Sequence, residues 1–362
     1  MLHSKVFQNK RTLFLLATIL FVLIPLNVGA QLGKVMSDVI LPSTTPLDWP
    51  TIKSSIKNRV IDHWGQGPVP YSPNENINYK IVSEYEEYGL THIVIKYEVL
   101  PGSWDRGIMV LPKNFDKKKK YKAVLTIHGT NGVKGADGML DSIGRPNRAY
   151  PIELAHREIL TFSPDQYSFG ESIKNIPRDS LVKEFNQKYP DWSIISGRCL
   201  LGFMRSLDVL DKLSYVDNSN GYGVMGNSLG GKSSMNLAAI EDRITVAVVS
   251  TGVSPNISNA YRTKRFQPEY WEDLVSSGDY PWEVNEVIAL CAPKSMLFLE
   301  PINDPYNRYV DYTVEAFMRA APVWKLLGKP ENFSFLIHGD GHDTTEDVRN
   351  HAYNWLIGNL NK

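Results

Sequence analysis

Gly221-Tyr-Gly-Val-Met-Gly-Asn-Ser-Leu-Gly-Gly-Lys-Ser-Ser-Met235 is the stretch that decides how this chain folds. Tyr222 to Met225 is a short apolar run, and Lys232 to Ile240 is rich in Ala, Leu and Met, so a buried strand runs into a helix. Between them, Gly226-Asn-Ser-Leu-Gly230 is a G-x-S-x-G turn. A sharp strand-to-helix turn lifts a serine hydroxyl clear of a sheet, and Gly226, Gly230 and Gly231 remove the side chains that would clash there. In isolation the pattern marks no more than a tight turn. The strand before it and the helix after it make Ser228 the candidate nucleophile.

A serine hydroxyl is a poor nucleophile near neutral pH, so a base and an acid that orients it must follow. In Phe333-Ser-Phe-Leu-Ile-His-Gly-Asp-Gly-His-Asp an apolar strand ends in a glycine-rich loop that delivers His342. Thr344 and Asp347 then read as a capping box that opens the last helix. In Ser295-Met-Leu-Phe-Leu-Glu-Pro-Ile-Asn-Asp-Pro-Tyr, Asp304 lies just past another strand, placed to accept the Nδ1 proton of His342 and fix its tautomer. The order Ser228, Asp304, His342 is the one that belongs to a G-x-S-x-G elbow. Glu300 is the rival acid, but it falls at the strand end and lacks the loop length to swing. His338 is the rival base, and reads as a strand-closing residue with a buried hydrogen bond. His338 and His342 have a metal-pair spacing only on a helix, which Gly339 and Gly341 oppose. No metal and no cofactor is expected. The oxyanion of a tetrahedral intermediate needs backbone donors. The N–H of Leu229 is one, and Ala123-Val-Leu-Thr-Ile-His-Gly-Thr-Asn-Gly offers Thr130 as the other, with Gly129 next. His128 reads as packing under that turn.

Over roughly residues 76 to 362 the chain resembles the α/β-hydrolase superfamily. The stretch Glu153-Leu-Ala-His-Arg-Glu-Ile-Leu-Thr-Phe-Ser-Pro-Asp-Gln-Tyr-Ser-Phe-Gly-Glu-Ser is similar to the helix, strand and Asp-x-x-x-x-Gly-x-Ser turn that follow the oxyanion loop in these enzymes. Arg205-Ser-Leu-Asp-Val-Leu-Asp-Lys-Leu is similar to the helix before their elbow strand. Gly230-Gly-Lys-Ser-Ser, Asp242-Arg-Ile and Ala292-Pro-Lys-Ser-Met-Leu-Phe-Leu look most like the dienelactone-hydrolase and acetyl xylan esterase branch. The resemblance implies ester hydrolysis, often of acyl groups on polysaccharides. In uronoyl methylesterases of the superfamily, a lysine at the position of Lys232 grips the uronic carboxylate. This chain departs from their pattern at Leu229, where they have arginine, and at Asn227, where they have cysteine.

With 362 residues, 43% hydrophobic and 22% charged, the chain is long enough for one sizeable α/β core. Its 39 basic and 39 acidic residues cancel, which argues against a nucleic-acid partner. Lys5, Lys10 and Arg11 precede an apolar stretch from Leu13 to Leu26, followed by Val28-Gly-Ala30. This reads as a signal peptide over residues 1–30 of a secreted or periplasmic protein, with an uncleaved anchor as the alternative. Cys199 and Cys291 read as two separate buried thiols, although an exported protein could pair them.

Residues 31–75 show no regular period and are expected to wrap the core. Strands are expected at 80–85, 92–100 and 107–111 as an antiparallel start, then at 122–127, 159–163, 222–225, 244–250, 295–299 and 333–337. The later runs alternate with helical stretches, which predicts an α/β-hydrolase fold, a mostly parallel twisted sheet with helices on both faces. Two longer connections, 166–193 and 252–285, are expected to shape the pocket. The first holds Tyr167, Phe169, Tyr189 and Trp192; the second holds Tyr261, Phe266, Tyr270, Trp271, Tyr280 and Trp282. Aromatic faces suit sugar rings, so Trp271 and Trp282 join Lys232 as substrate-binding candidates. The expected activity is an exported serine carboxylic-ester hydrolase that removes acyl, such as acetyl, groups from a small-molecule or polysaccharide ester. The alternatives are a uronoyl methylesterase, a serine peptidase, for whose usual propeller there is no room, and a catalytically dead binding protein.

Overall fold

The computed structural model describes residues 36–73, 76–256, 282–307 and 310–362. The chain divides into two compact units. One, Met1–Asp38 with Asn256–Tyr280, lies almost wholly outside the described residues, and with it the signal-peptide region and Trp271. The other, Val39–Pro255 with Pro281–Lys362, carries the sheet.

Nine strands build that sheet: β1 (Tyr79–Glu87), β2 (Leu90–Leu100), β3 (Ser103–Val110), β4 (Ala123–Ile127), β5 (Leu160–Pro164), β6 (Tyr222–Asn227), β7 (Ile244–Ser250), β8 (Ser295–Pro301) and β9 (Phe333–His338). Their order is β1-β2-β3-β5-β4-β6-β7-β8-β9. The first three pair antiparallel, β3 runs antiparallel to β5, and from β5 to β9 every pairing is parallel. Each expected strand is present. β4, β6 and β8 are buried at every residue, whereas β1 at the sheet edge is exposed at every residue. Strands covered on both faces read as continuous apolar runs, which is why they are easy to find in the sequence.

Among the described residues the α-helices are α1 (Trp49–Trp64), α2 (Tyr150–Ala155), α3 (Arg178–Lys188), α4 (Cys199–Asp211), α5 (Leu229–Ile240), α6 (Val284–Leu290), α7 (Val310–Ala320), α8 (Pro322–Leu326) and α9 (Glu346–Leu360). Along β8, Leu297 and Leu299 pack with Tyr353 and Leu356 of α9, while the ring of Phe298 between them meets that of Phe317 of α7, tilted, at 4.8 Å. Alternate strand residues point to opposite faces, so α9 and α7 cover the two sides of the sheet. Among the described residues no helix is long and apolar enough to cross a membrane.

Two local expectations are corrected. Residues 49–64 form a 16-residue helix that buries Trp49, Ile56, Val60 and Trp64. Trp49, Ile52, Ile56, Val60 and Trp64 recur every three or four residues, the spacing of one helix face, so these residues are periodic after all, and Arg59 pairs with Glu286 of α6 at 2.6 Å. The capping box at the start of α9 is absent as well. The N-cap is Thr345, with no side-chain capping bond, because its hydroxyl donates to Asp340 and that of Thr344 is drawn into the core. Cys199 and Cys291 are free, buried thiols, and burial pushes each up to about 12.

Candidate active site

Ser228 sits between the buried strand β6 and the first residue of α5, at φ 60°, ψ −124°. A side-chain-bearing residue held there stores about 1–3 kcal/mol of strain that its surroundings must oppose. Those surroundings are visible. The Ser228 N–H donates to Ser250 O at 2.8 Å and to Thr251 Oγ1 at 2.9 Å. A Cβ on Gly230 would stand 2.0 Å from Ile127 O, and one on Gly231 2.4 Å from Ser250 O. Glycine is therefore required for α5 to start so close to β4 and β7.

Leu229 opens α5, so its N–H has no acceptor within the helix and points with the positive end of the helix dipole. The turn after β4 lies alongside: a Cβ on Gly129 would meet Ser228 Cβ at 3.5 Å and Asn227 O at 3.1 Å. Thr130 follows and is exposed. His128 is buried beneath. Its Nε2 accepts the Gln166 N–H at 3.0 Å, which leaves Nδ1 to donate to Gly129 O at 2.6 Å. The Gln166 side chain donates to His128 O and accepts from Ser233 Oγ of α5 at 3.0 Å, joining the two turns that flank Ser228.

Asp304 and His342 meet. Asp304 Oδ2 lies 2.7 Å from His342 Nδ1, and Oδ1 accepts the Tyr306 N–H at 2.7 Å. Burial pushes the Asp304 carboxyl up, but the hydrogen bonds from His342 and Tyr306 outweigh it and leave it below the ordinary carboxylate value. The Tyr306 ring stands edge-on to the imidazole at 4.6 Å, a contact that the sequence did not announce. Arg148 holds the loop from outside, donating to His342 O at 2.9 Å and pairing with Asp343, which also takes the Asn147 amide at 2.7 Å.

The rivals have other roles. Glu300 is fully buried, and its Oε1 accepts the N–H groups of Gly252 at 3.1 Å and Val253 at 3.0 Å. Burial, with the charge of Asp304 added, raises its carboxyl well above the usual range despite those bonds. His338 closes β9, with its carbonyl accepting the Ile302 N–H and its Nδ1 beside Asp340 at 3.4 Å. Among the described residues no group of His, Cys, Asp and Glu converges as a metal site. Lys232 is half-buried in the first turn of α5, its N–H on Ser228 O at 3.0 Å. Trp282 stands edge-on to Trp64 and His63 of α1, at 6.2 and 6.1 Å. Tyr167, Tyr189 and Trp192 cluster on Phe185 of α3.

The sequence matches no protein-family model. It also matches no curated protein. Solved structures do match. A glucuronoyl esterase from Solibacter usitatus superposes with a TM-score of 0.70 over 90% of this chain and 99% of its own, at 16% identity. A glucuronoyl esterase from Teredinibacter turnerae gives 0.64 over 91% and 90%, at 16% identity. A protein assigned as an acetyl xylan esterase, from Bacteroides fragilis, gives 0.62 over 86% and 81%, at 14% identity. The chain has the α/β-hydrolase fold that these esterases share.

Proposed function

We propose that the protein is an exported serine esterase that cleaves carboxylic esters of carbohydrates. The observation that carries this is the Asp304–His342 bond of 2.7 Å at the same sheet edge as the positive-φ turn of Ser228. In the reaction Ser228 Oγ attacks the ester carbonyl while His342 Nε2 takes its proton, with Asp304 holding Nδ1–H and stabilising the imidazolium. The N–H groups of Leu229 and Thr130 receive the oxyanion. His342 then returns the proton to the departing alcohol, and a water deprotonated by His342 frees the acid from Ser228.

Support for a carbohydrate ester comes from the structural neighbours, which are named as glucuronoyl esterases and an acetyl xylan esterase. An acyl group such as acetyl is the first substrate class. A uronate methyl ester is the second, favoured by Lys232, which places an ammonium-bearing side chain on the first turn beyond the nucleophile.

The test is hydrolysis of p-nitrophenyl acetate and butyrate by the chain from Gln31 onward, beside Ser228→Ala. Turnover should fall on the order of a thousandfold or more in the variant. Equal rates in both would overturn the assignment of the nucleophile. Lys232→Ala separates the substrate classes: loss on methyl glucuronate with acetate esters spared supports the uronate, and equal effects support the acyl ester.

A further inference from the structure

We infer that Asn227, Ser250 and Thr344 form a buried polar clamp that sets how closely the nucleophile and the base approach, an inference that rests on the roles proposed for Ser228 and His342. Asn227 precedes Ser228, and Thr344 follows His342 by two residues. Each is therefore within one or two peptide units of the group it would place.

The contacts are direct. Thr344 Oγ1 lies 2.9 Å from Ser250 Oγ and accepts from Asn227 Nδ2 at 3.3 Å. The same amide donates to Thr251 Oγ1 at 2.7 Å and to Ser250 Oγ at 3.2 Å. Thr251 Oγ1 in turn accepts the Ser228 N–H at 2.9 Å. Two amide protons are shared among three hydroxyl oxygens, so the hydroxyls must orient their own protons cooperatively to complete the set. Thr344 and Ser250 are fully buried and Asn227 is 3% exposed, so water does not compete.

The topology explains why a clamp is needed. Asn227 pairs with Ser250 through the β6–β7 ladder, which fixes those two turns against each other. β9, which carries the His342 loop, is separated from β6 by β7 and β8. No ladder bond reaches from the loop to Ser228, and the side-chain cluster makes the direct link. Since misplacing reacting groups by about 1 Å can cost a hundredfold in rate, the clamp residues are positioning residues whose loss shows in kcat.

Thr344→Val keeps the shape and deletes the hydroxyl; Thr344→Ser keeps the hydroxyl. The rate of Ser228 labelling by a fluorophosphonate, kcat and KM for p-nitrophenyl acetate, and the melting temperature are measured for both and for Ser250→Ala. Valine should lower kcat and the labelling rate about ten- to hundredfold with KM within about twofold, and serine should restore most of the loss. The midpoint of the pH–rate profile should not move, because the clamp is neutral. Ser250→Ala removes the same contact from the strand side and carries the test if Thr344→Val does not fold. A folded Thr344→Val or Ser250→Ala protein that labels and turns over like wild type overturns the clamp alone. A wild-type protein that neither labels nor hydrolyses any ester overturns the proposed function, and the clamp with it.

Discussion

Two strands of the parallel sheet, β4 and β9, end in histidine-bearing turns at one edge, and they treat the imidazole in opposite ways. His128, after β4, is 1% exposed and has both ring nitrogens bound to backbone groups. Burial pushes it down to about 4, so it stays neutral. His342, after β9, keeps 20% side-chain exposure, and its Nδ1 faces the carboxylate of Asp304. The ring of His342 meets a carboxylate, whereas at His128 the effect of burial outweighs the bond to Gly129 O. One histidine holds a turn still, and the other stands against a carboxylate with its ring partly open to solvent. The same contrast separates the two acids: hydrogen bonds hold the Asp304 carboxyl below its ordinary value, and burial raises that of Glu300 well above it.

The largest effect should follow from breaking the reactive side of this contrast. His342→Ala should reduce kcat by about a thousandfold or more with the melting temperature within a few degrees, and an unchanged kcat would remove His342 from the mechanism. Asp304→Asn should cost about a hundredfold or more, since the wrong tautomer is then held, while Glu300→Gln, the isostere of a neutral acid, should stay within about threefold. A large loss in Glu300→Gln alone would exchange the roles of the two acids.

His128→Asn tests the sealed side through stability. Urea unfolding at pH 7.5 should show a deficit of about 1–3 kcal/mol, because buried partners lose their bonds. The sign of the pH effect follows from the lowered pKa: as pH falls below about 6.5, the unfolded chain binds a proton that native His128 refuses until about pH 4. Wild type therefore loses stability over that window, and the deficit of the variant should shrink by about 2 kcal/mol between pH 7.5 and 5. Asp165, raised by burial to about 6, acts in the opposite direction over the same window in both proteins, so the difference between them isolates His128. A constant deficit would mean that His128 is not sealed. The smallest effect should be that of Thr345→Ala, below about 0.5 kcal/mol, because this N-cap makes no capping bond and so lacks the usual 1 kcal/mol or so.

Much of this was legible in the residues. The strands from β4 to β9 are short apolar runs bounded by helices, and burial on both faces leaves no polar interruption to blur them. The pairing of Asp304 with His342 followed from chain order and from loops that begin where strands stop. Local patterns failed where a partner distant in sequence took over a side chain. Thr344 carries the pattern of a capping residue, but Ser250 and Asn227 claim its hydroxyl. Residues 49–64 do carry a helical spacing, at Trp49, Ile52, Ile56, Val60 and Trp64, which the irregular, Pro-rich residues on either side mask.

By itself the sequence determined the sheet, the turn at Ser228 and the order of the candidate residues, because strand burial and glycine sterics act over a few neighbouring residues. Only the tertiary structure decided which acid meets His342 and which is fully buried, which histidine is sealed, and which polar side chains tie the His342 loop to the elbow. Ionisation and buried hydrogen bonding depend on the groups brought together from distant parts of the chain, and spacing along the chain does not encode that proximity.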